Sequence, residues 1–263
     1  MDNCNSIICP IHGPFVDLQR HSHNIYRFLL YSNPYDNNPV NSWFYLASGI
    51  EKVHFISDKY DDYVQWCGSA IDYENERSNF HGKLILALTQ FNFIWSGLEA
   101  YIDSTNFPNC PSRSGKINKV NYFLKSKYLG NYPMIENYSE TVNLLKKLLL
   151  LNPWYLEGSD IDTITDCECH ELIGLKIVYK IRNHFAHGSL TFSEPDGWNQ
   201  TKPYDVSIIK ASSRIVLMSL QMLFAANSTS LNFKIPQLHH DDDEGAKANK
   251  FLFKMQLKDY KHS

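Results

Sequence analysis

Residues 182–188 read Arg182-Asn183-His184-Phe185-Ala186-His187-Gly188 and close an apolar-periodic run that begins near Glu171. Within that run Leu172, Leu175, Val178 and Tyr179 recur at the three- and four-residue steps that place side chains on one face of an α-helix. Gly188 suits the position just past a helix end, where the backbone turns left-handed at little cost to a residue without Cβ. The spacing therefore predicts a helix over 171–187. At its end stand a permanently charged guanidinium, an amide and, five positions after the arginine, an imidazole. In an ideal helix that step turns through about 500°, leaving Arg182 and His187 about 140° apart. The two converge only if the helix end unwinds around Ala186-His187-Gly188, or if a second subunit completes the arrangement.

Upstream, Phe80, Leu84, Ala87, Leu88, Phe91, Ile94, Trp95, Leu98 and Tyr101 keep the helical period. They predict an amphipathic helix over 77–103, stopped by Asn106-Phe107-Pro108 because proline lacks an N–H and crowds the preceding turn. Shorter helices are predicted over 116–127 and from near Pro133 to Asn152-Pro153, the latter carrying Val142, Leu145, Leu148 and Leu149. Residues 157–166 read as a loop. After the polar stretch Glu194-Pro195-Asp196-Gly197, a last strong helix is predicted over 204–226. Mixed periodicity marks short helices over 17–31 and 41–55, a basic helical pattern covers 246–258, and no run alternates long enough to read as a strand. The expected fold class is all-α, an antiparallel helical bundle over 75–227. A mainly helical N-terminal extension or lobe (1–74) precedes it and a C-terminal tail (228–263) follows.

The 263 residues are 43% hydrophobic and 20% charged, which is a globular rather than a disordered composition. The formal net charge of −3 supplies no global field for nucleic acid, so any such binding must use a local patch. The first residues lack the basic start and apolar segment of a secretory signal. Apolar runs such as 148–151 are too short to span a bilayer. Six cysteines in a chain of this size do not make a disulfide framework. The expectation is a cytoplasmic protein with reduced thiols and no membrane partner. A Gly-rich phosphate loop, a Gly-x-Ser-x-Gly elbow and a His-Glu-x-x-His zinc helix are all missing from the sequence.

The stretch Arg182-Asn183-x-x-Ala186-His187-Gly188 resembles the Arg-x4-6-His motif of the HEPN superfamily, in its variant Arg-Asn-x-x-Ala-His-Gly. That family's pattern also includes an acidic or polar residue from an earlier helix. Glu99 matches it, as the one acidic residue between Glu76 and Asp103. The resemblance implies a HEPN-type bundle acting as a metal-independent endoribonuclease without a cofactor, with a composite active site at a homodimer interface. It further implies a toxin or an anti-phage, abortive-infection effector, restrained by an antitoxin or another regulatory protein.

The residue types suit that chemistry. Cleavage by 2′-hydroxyl attack needs a base for the hydroxyl proton, a cation for the charge gathering on phosphate, and an acid for the leaving 5′ oxygen. An imidazole titrates near neutrality and serves the proton steps, which assigns them to His187. A guanidinium donates to two phosphate oxygens and keeps its charge, which assigns the phosphate to Arg182. Asn183 and Glu99 would orient the pair. Blander readings stand beside these. Both cations could simply complement the dipole of a helix C-terminus, the bundle could be a non-catalytic module binding RNA, nucleotide or protein, and Glu99 could be a structural partner of Arg182.

Arg113, Lys116, Lys119, Lys125 and Lys127 interleave with Tyr122, Phe123 and Tyr128, a pattern used to track single-stranded RNA. The competing reading buries the rings and leaves the lysines solvated. His184 is a further RNA-binding candidate, or a solvent-facing residue. Cys4, Cys9, His12, Cys167, Cys169 and His170 carry zinc-ligand chemistry at spacings too loose for a structural site, so no metal is expected. The run His239-His240-Asp241-Asp242-Asp243-Glu244 reads as a solvated acidic loop capping the next helix.

Overall fold

A computed structural model of the chain describes residues 7–9, 13–32, 39–61, 68–108, 110, 114–128, 134–167, 170–194, 204–228, 231–236 and 245–260. In chain order these form α1 (Leu18–Ser32), α2 (Pro39–Gly49), α3 (Gly68–Ser104), α4 (Lys116–Tyr128), α5 (Tyr138–Leu151), α6 (Gly158–Cys167), α7 (His170–Ala186) and α8 (Asp205–Asn227). A two-residue antiparallel pair, β1 (Lys234–Ile235) and β2 (Ala246–Lys247), and the short helix α9 (Ala248–Lys254) complete the described elements. The fold is helical.

The axis of the molecule is α8. Every residue from Ile208 to Ala226 except Lys210 is buried, because the helix is apolar nearly all round and such a helix must be enclosed. It packs against α1, α3, α4, α5, α7 and α9. By length and composition it could span a bilayer, but 94% of its apolar window is buried against the other helices.

The long helix α3 begins at Gly68, nine residues before the expected start at 77. Its first turns, Gly68 to Glu76, set Ala70, Ile71 and Tyr73 among glycine and polar residues with no sustained apolar period to read, and they are mostly exposed. Ion pairs of Arg77 with Glu74 (3.7 Å) and Glu194 (3.0 Å) and a hydrogen bond between Ser57 and Ser78 hold this end. From Leu84 onward the expected stripe is buried, except for the half-buried Leu88.

Residues 157–166, expected as a loop, instead form α6; Ile161 and Ile164 bury against the core, and Asp160 pairs with Lys180 of α7 at 3.2 Å. Two apolar residues in ten gave the period too little to register. The expected start of α5 near Pro133 moves to Tyr138, because Asn137 is left-handed (φ 64°). The tail helix is shorter than 246–258, since Ala246 and Lys247 pair as β2 and Leu257 bridges to Phe15.

The N-terminal helices share the hydrophobic core with the bundle: Phe15, Ile25, Phe28, Val40 and Phe44 belong to the same cluster as the α3 and α8 side chains. A buried polar chain ties α1, α8 and α9 together. Arg214 donates from Nη1 to His21 Nδ1 (2.7 Å) and from Nη2 to the Val16 carbonyl (2.5 Å). Because a guanidinium only donates, His21 Nδ1 accepts, and Nε2 donates to Gln221 Oε1 (2.9 Å). Gln221 in turn donates to the Leu252 carbonyl (2.6 Å) and to Gln256 Oε1 (2.9 Å).

The placement of α7 depends on Gly174. A Cβ there would lie 2.7 Å from Tyr138 Oη and Val142 Cγ2 and 2.9 Å from Ile215 Cγ2. The bare backbone lets α7 wedge against α5 and α8, and its C-terminal end runs out toward solvent.

Candidate functional site

The end of α7 stops by a defined device. The N–H of Ser189 donates to the His184 carbonyl (3.0 Å) and that of Gly188 to the Phe185 carbonyl (3.1 Å), with Gly188 left-handed at φ 67°. These are the two bonds of a Schellman stop, with glycine at the position that demands it. His184 braces the same turn, its Nδ1 lying 3.1 Å from Ser189 Oγ, which also donates to the His184 carbonyl. The structure thus gives His184 a local structural role.

Before that stop the helix is intact: His187 N–H still donates to the Asn183 carbonyl at 3.0 Å. The helix end does not unwind. Arg182 and His187 therefore keep roughly the 140° separation of a regular helix, and one chain does not bring them onto one face. Ala186, His187 and Gly188 are exposed, Arg182 and Asn183 half-buried.

Arg182 is seated by α3. Its Nη2 lies 3.6 Å from Glu99 Oε1, and its Cζ lies 5.8 Å from the centre of the Trp95 ring. Trp95 Nε1–H donates to the same Glu99 oxygen at 2.8 Å, so the carboxylate is fixed by the indole while facing the guanidinium. The indole is itself pinned, buried among core side chains and stacked on Tyr179 (6.2 Å, 17° between planes). Tyr179, expected on the buried side of the helix, is 38% exposed. Arg182 and Glu99 side chains are each one-third exposed at a separation beyond direct hydrogen bonding, so the pair contributes about 0–1 kcal/mol. A cation held this weakly can turn to a phosphate at small cost.

Among the described residues, no hydrogen bond holds the side chain of Asn183 or His187, which leaves an amide and an imidazole available beside the seated guanidinium. The sequence reading brought Glu99 to Arg182 but passed over Trp95 and Tyr179 as core residues. Their signal was spacing: Trp95 lies four residues before Glu99 and Tyr179 three before Arg182, neighbouring positions on a helix surface.

The basic stretch on α4 divides otherwise than an RNA platform requires. Phe123 and Tyr128 are buried, and only Tyr122 shows a large exposed ring. Lys116 pairs with Asp103 at 2.6 Å, Lys127 lies over the Phe123 ring at 6.0 Å, and Lys119 is half-buried while Lys125 is exposed. The lysines are thus mainly a solvated face. It does adjoin α7: Lys176 donates to Asn118 at 3.0 Å, six residues and about 9 Å of helix before Arg182. Arg113, Cys4, His12, Cys169 and the 239–244 run lie outside the described residues. Among those described, no three His, Cys, Asp or Glu side chains cluster as metal ligands.

Comparison with known proteins adds no family: no family model matches the chain, and no characterised protein or solved structure is significantly similar to it.

Proposed function

We propose that the chain is a metal-independent endoribonuclease of the HEPN type, with its site at the C-terminal end of α7. One observation carries the proposal: Glu99 and the Trp95 ring hold Arg182, while Asn183 and His187 stand unengaged within the next turn and a half. A helix-dipole role for the two cations would not call for a tryptophan-fixed carboxylate beside the arginine.

The reaction follows from the residue types. His187 takes the 2′-hydroxyl proton, the freed oxygen attacks phosphorus, and the P–O5′ bond breaks. An imidazolium protonates the departing oxygen, leaving a 2′,3′-cyclic phosphate and a 5′-hydroxyl. Arg182 stabilises the non-bridging oxygens as charge gathers on them. Asn183 orients the substrate, and Glu99 positions Arg182. Because the regular helix separates Arg182 from His187, the reading requires two chains: each site takes its arginine from one copy and its histidine from the other. On this reading the protein is a toxin or anti-phage effector acting on RNA in the cytoplasm, held in check by an antitoxin or regulator.

The test is incubation of purified protein with tRNA and mRNA in EDTA, beside His187→Ala and Arg182→Ala variants shown to be folded. Cleavage by wild type alone, with cyclic phosphate ends, is expected, and either variant should lose about 10²–10⁴-fold. Cleavage of DNA, or equal cleavage by all three proteins, sinks the mechanism. One observation favours a second reading, a non-catalytic module binding RNA, nucleotide or protein: no described side chain fixes the tautomer of His187. Tight RNA binding without cleavage, weakened by Arg182→Ala, would select it.

A further inference from the structure

Where α1, the end of α2, α3 and α8 meet, a cavity of about 490 Å³ is lined by Asp17, Gln19, Glu51, Gln90, Lys210 and Arg214, among others. None of these residues belongs to the Arg182 site. Its volume lies within the range of small-ligand sites, roughly 300–1,000 Å³.

The charges around it are unevenly satisfied. Lys210 and Arg214 stand one turn apart on α8, so both address the same wall. Arg214 is 1% exposed and its Nε has no hydrogen-bond partner. Neither cation has a carboxylate within 4.0 Å among the described residues. Burial lowers the pKa of both, to about 9 for Arg214, where the charge of Asp17 opposes it; for Lys210 the charge of Lys83 adds to the effect of burial and that of Cys9 opposes it. The carboxylates that share the cavity sit on exposed residues, and Asp17 is already engaged, accepting from the Arg20 N–H at the start of α1. Gln19 and Gln90 both spend their amide N–H on the Ile50 carbonyl (3.3 and 2.9 Å), which leaves their side-chain oxygens as acceptors.

A fully buried guanidinium and a half-buried ammonium with no carboxylate within 4.0 Å destabilise a fold unless something neutralises them. We infer that this cavity binds a small organic anion carrying hydroxyl or amino groups. The anionic end lies against the Lys210 and Arg214 wall, and the donors face Gln19, Gln90, Asp17 and Glu51. Phosphate monoesters and amino-acid carboxylates share this chemistry.

The experiment measures thermal unfolding and calorimetric binding of the full chain with inorganic phosphate, glycerol 3-phosphate or glutamate at millimolar concentration and matched ionic strength. Saturable binding of glycerol 3-phosphate or of glutamate is expected, and which of them binds identifies the anionic group. At about 100-fold excess over Kd the Tm should rise by several degrees, and inorganic phosphate, lacking a hydroxyl- or amino-bearing arm to reach the acceptors, should bind at least about tenfold more weakly. Lys210→Met and Lys210→Gln should abolish the response while raising the Tm of the unliganded protein, since they remove a half-buried charge that has no carboxylate within 4.0 Å. A lysine that merely packs would lower it. No saturable binding by any of the three probes, or binding untouched by both Lys210 variants, overturns the inference.

Discussion

Two Arg–His neighbourhoods divide this molecule. Inside it, Arg214 and His21 are fully buried and joined at 2.7 Å, and the chain of bonds runs on through Gln221 to Gln256. At the end of α7, Arg182 is one-third exposed, rests on Glu99 and Trp95, and has no bond to His187. The same residue types thus serve opposite ends. A buried polar group must find partners within the fold, because leaving it unpaired costs about 1–3 kcal/mol. An exposed group keeps water as its partner and can exchange it for a substrate. The internal pair secures α1 to α8; the outer pair is anchored on one side and open on the other.

The largest separation between the two should appear in stability. Arg214→Ala strands His21 Nδ1 and the Val16 carbonyl, and should cost about 2–3 kcal/mol by urea unfolding, the loss of its buried charge offsetting part of the two unpaired acceptors. Arg182→Ala should cost no more than about 1 kcal/mol. Equal costs would erase the contrast. Gly174→Ala tests the wedge that positions the outer site. The new methyl meets Tyr138, Val142 and Ile215 at once, and should cost about 1–3 kcal/mol with a shift in the environment of Trp95. An unchanged Tm and fluorescence would mean that α7 is not held there.

Acid sharpens the comparison further. Burial first, then the charge of Arg214, holds the His21 pKa well below 6.5, with the Gln221 hydrogen bond opposing. The unfolded chain therefore binds the proton more readily. The stability from neutral His21 is complete above pH about 6.5 and is lost as pH falls from there through the lowered folded-state value, at up to about 1.4 kcal/mol per pH unit. His21→Gln should flatten that slope in a pH series of urea midpoints, and an unaltered slope would assign it to other groups. The smallest expected change is from Glu99→Gln, which keeps an acceptor for Trp95 and removes the charge facing Arg182. Stability should move by less than about 1 kcal/mol, while RNA cleavage falls. Unaltered cleavage would make Glu99 structural only.

Much of the fold was legible in the chain because helices such as α3 and α7 bury one stripe each, and α8 is apolar nearly all round. Leu84 to Tyr101 and Leu172 to Val178 declare their faces through spacing alone. The polar start of α3 and the short α6 were not legible, since tertiary ion pairs and two isoleucines hold them rather than a repeating pattern. Arg182, Asn183, His187 and Glu99 were singled out through their resemblance to a family motif, and of these the structure brings Glu99 to Arg182. Trp95 was not singled out, because an indole that packs and an indole that also donates look alike in sequence. The buried pair was beyond reach for another reason: His21 and Arg214 are 193 positions apart, and no local pattern joins them.

The central claim is that Arg182 of one chain and His187 of another form one ribonuclease site. The direct measurement mixes Arg182→Ala and His187→Ala proteins, lets subunits exchange, and assays RNA cleavage in EDTA against each variant alone. Both variants alone should be inactive. The mixture should recover cleavage, since each heterodimer then holds one site with an intact arginine and an intact histidine. A mixture as inactive as its components, with heterodimer formation demonstrated, would contradict the shared site.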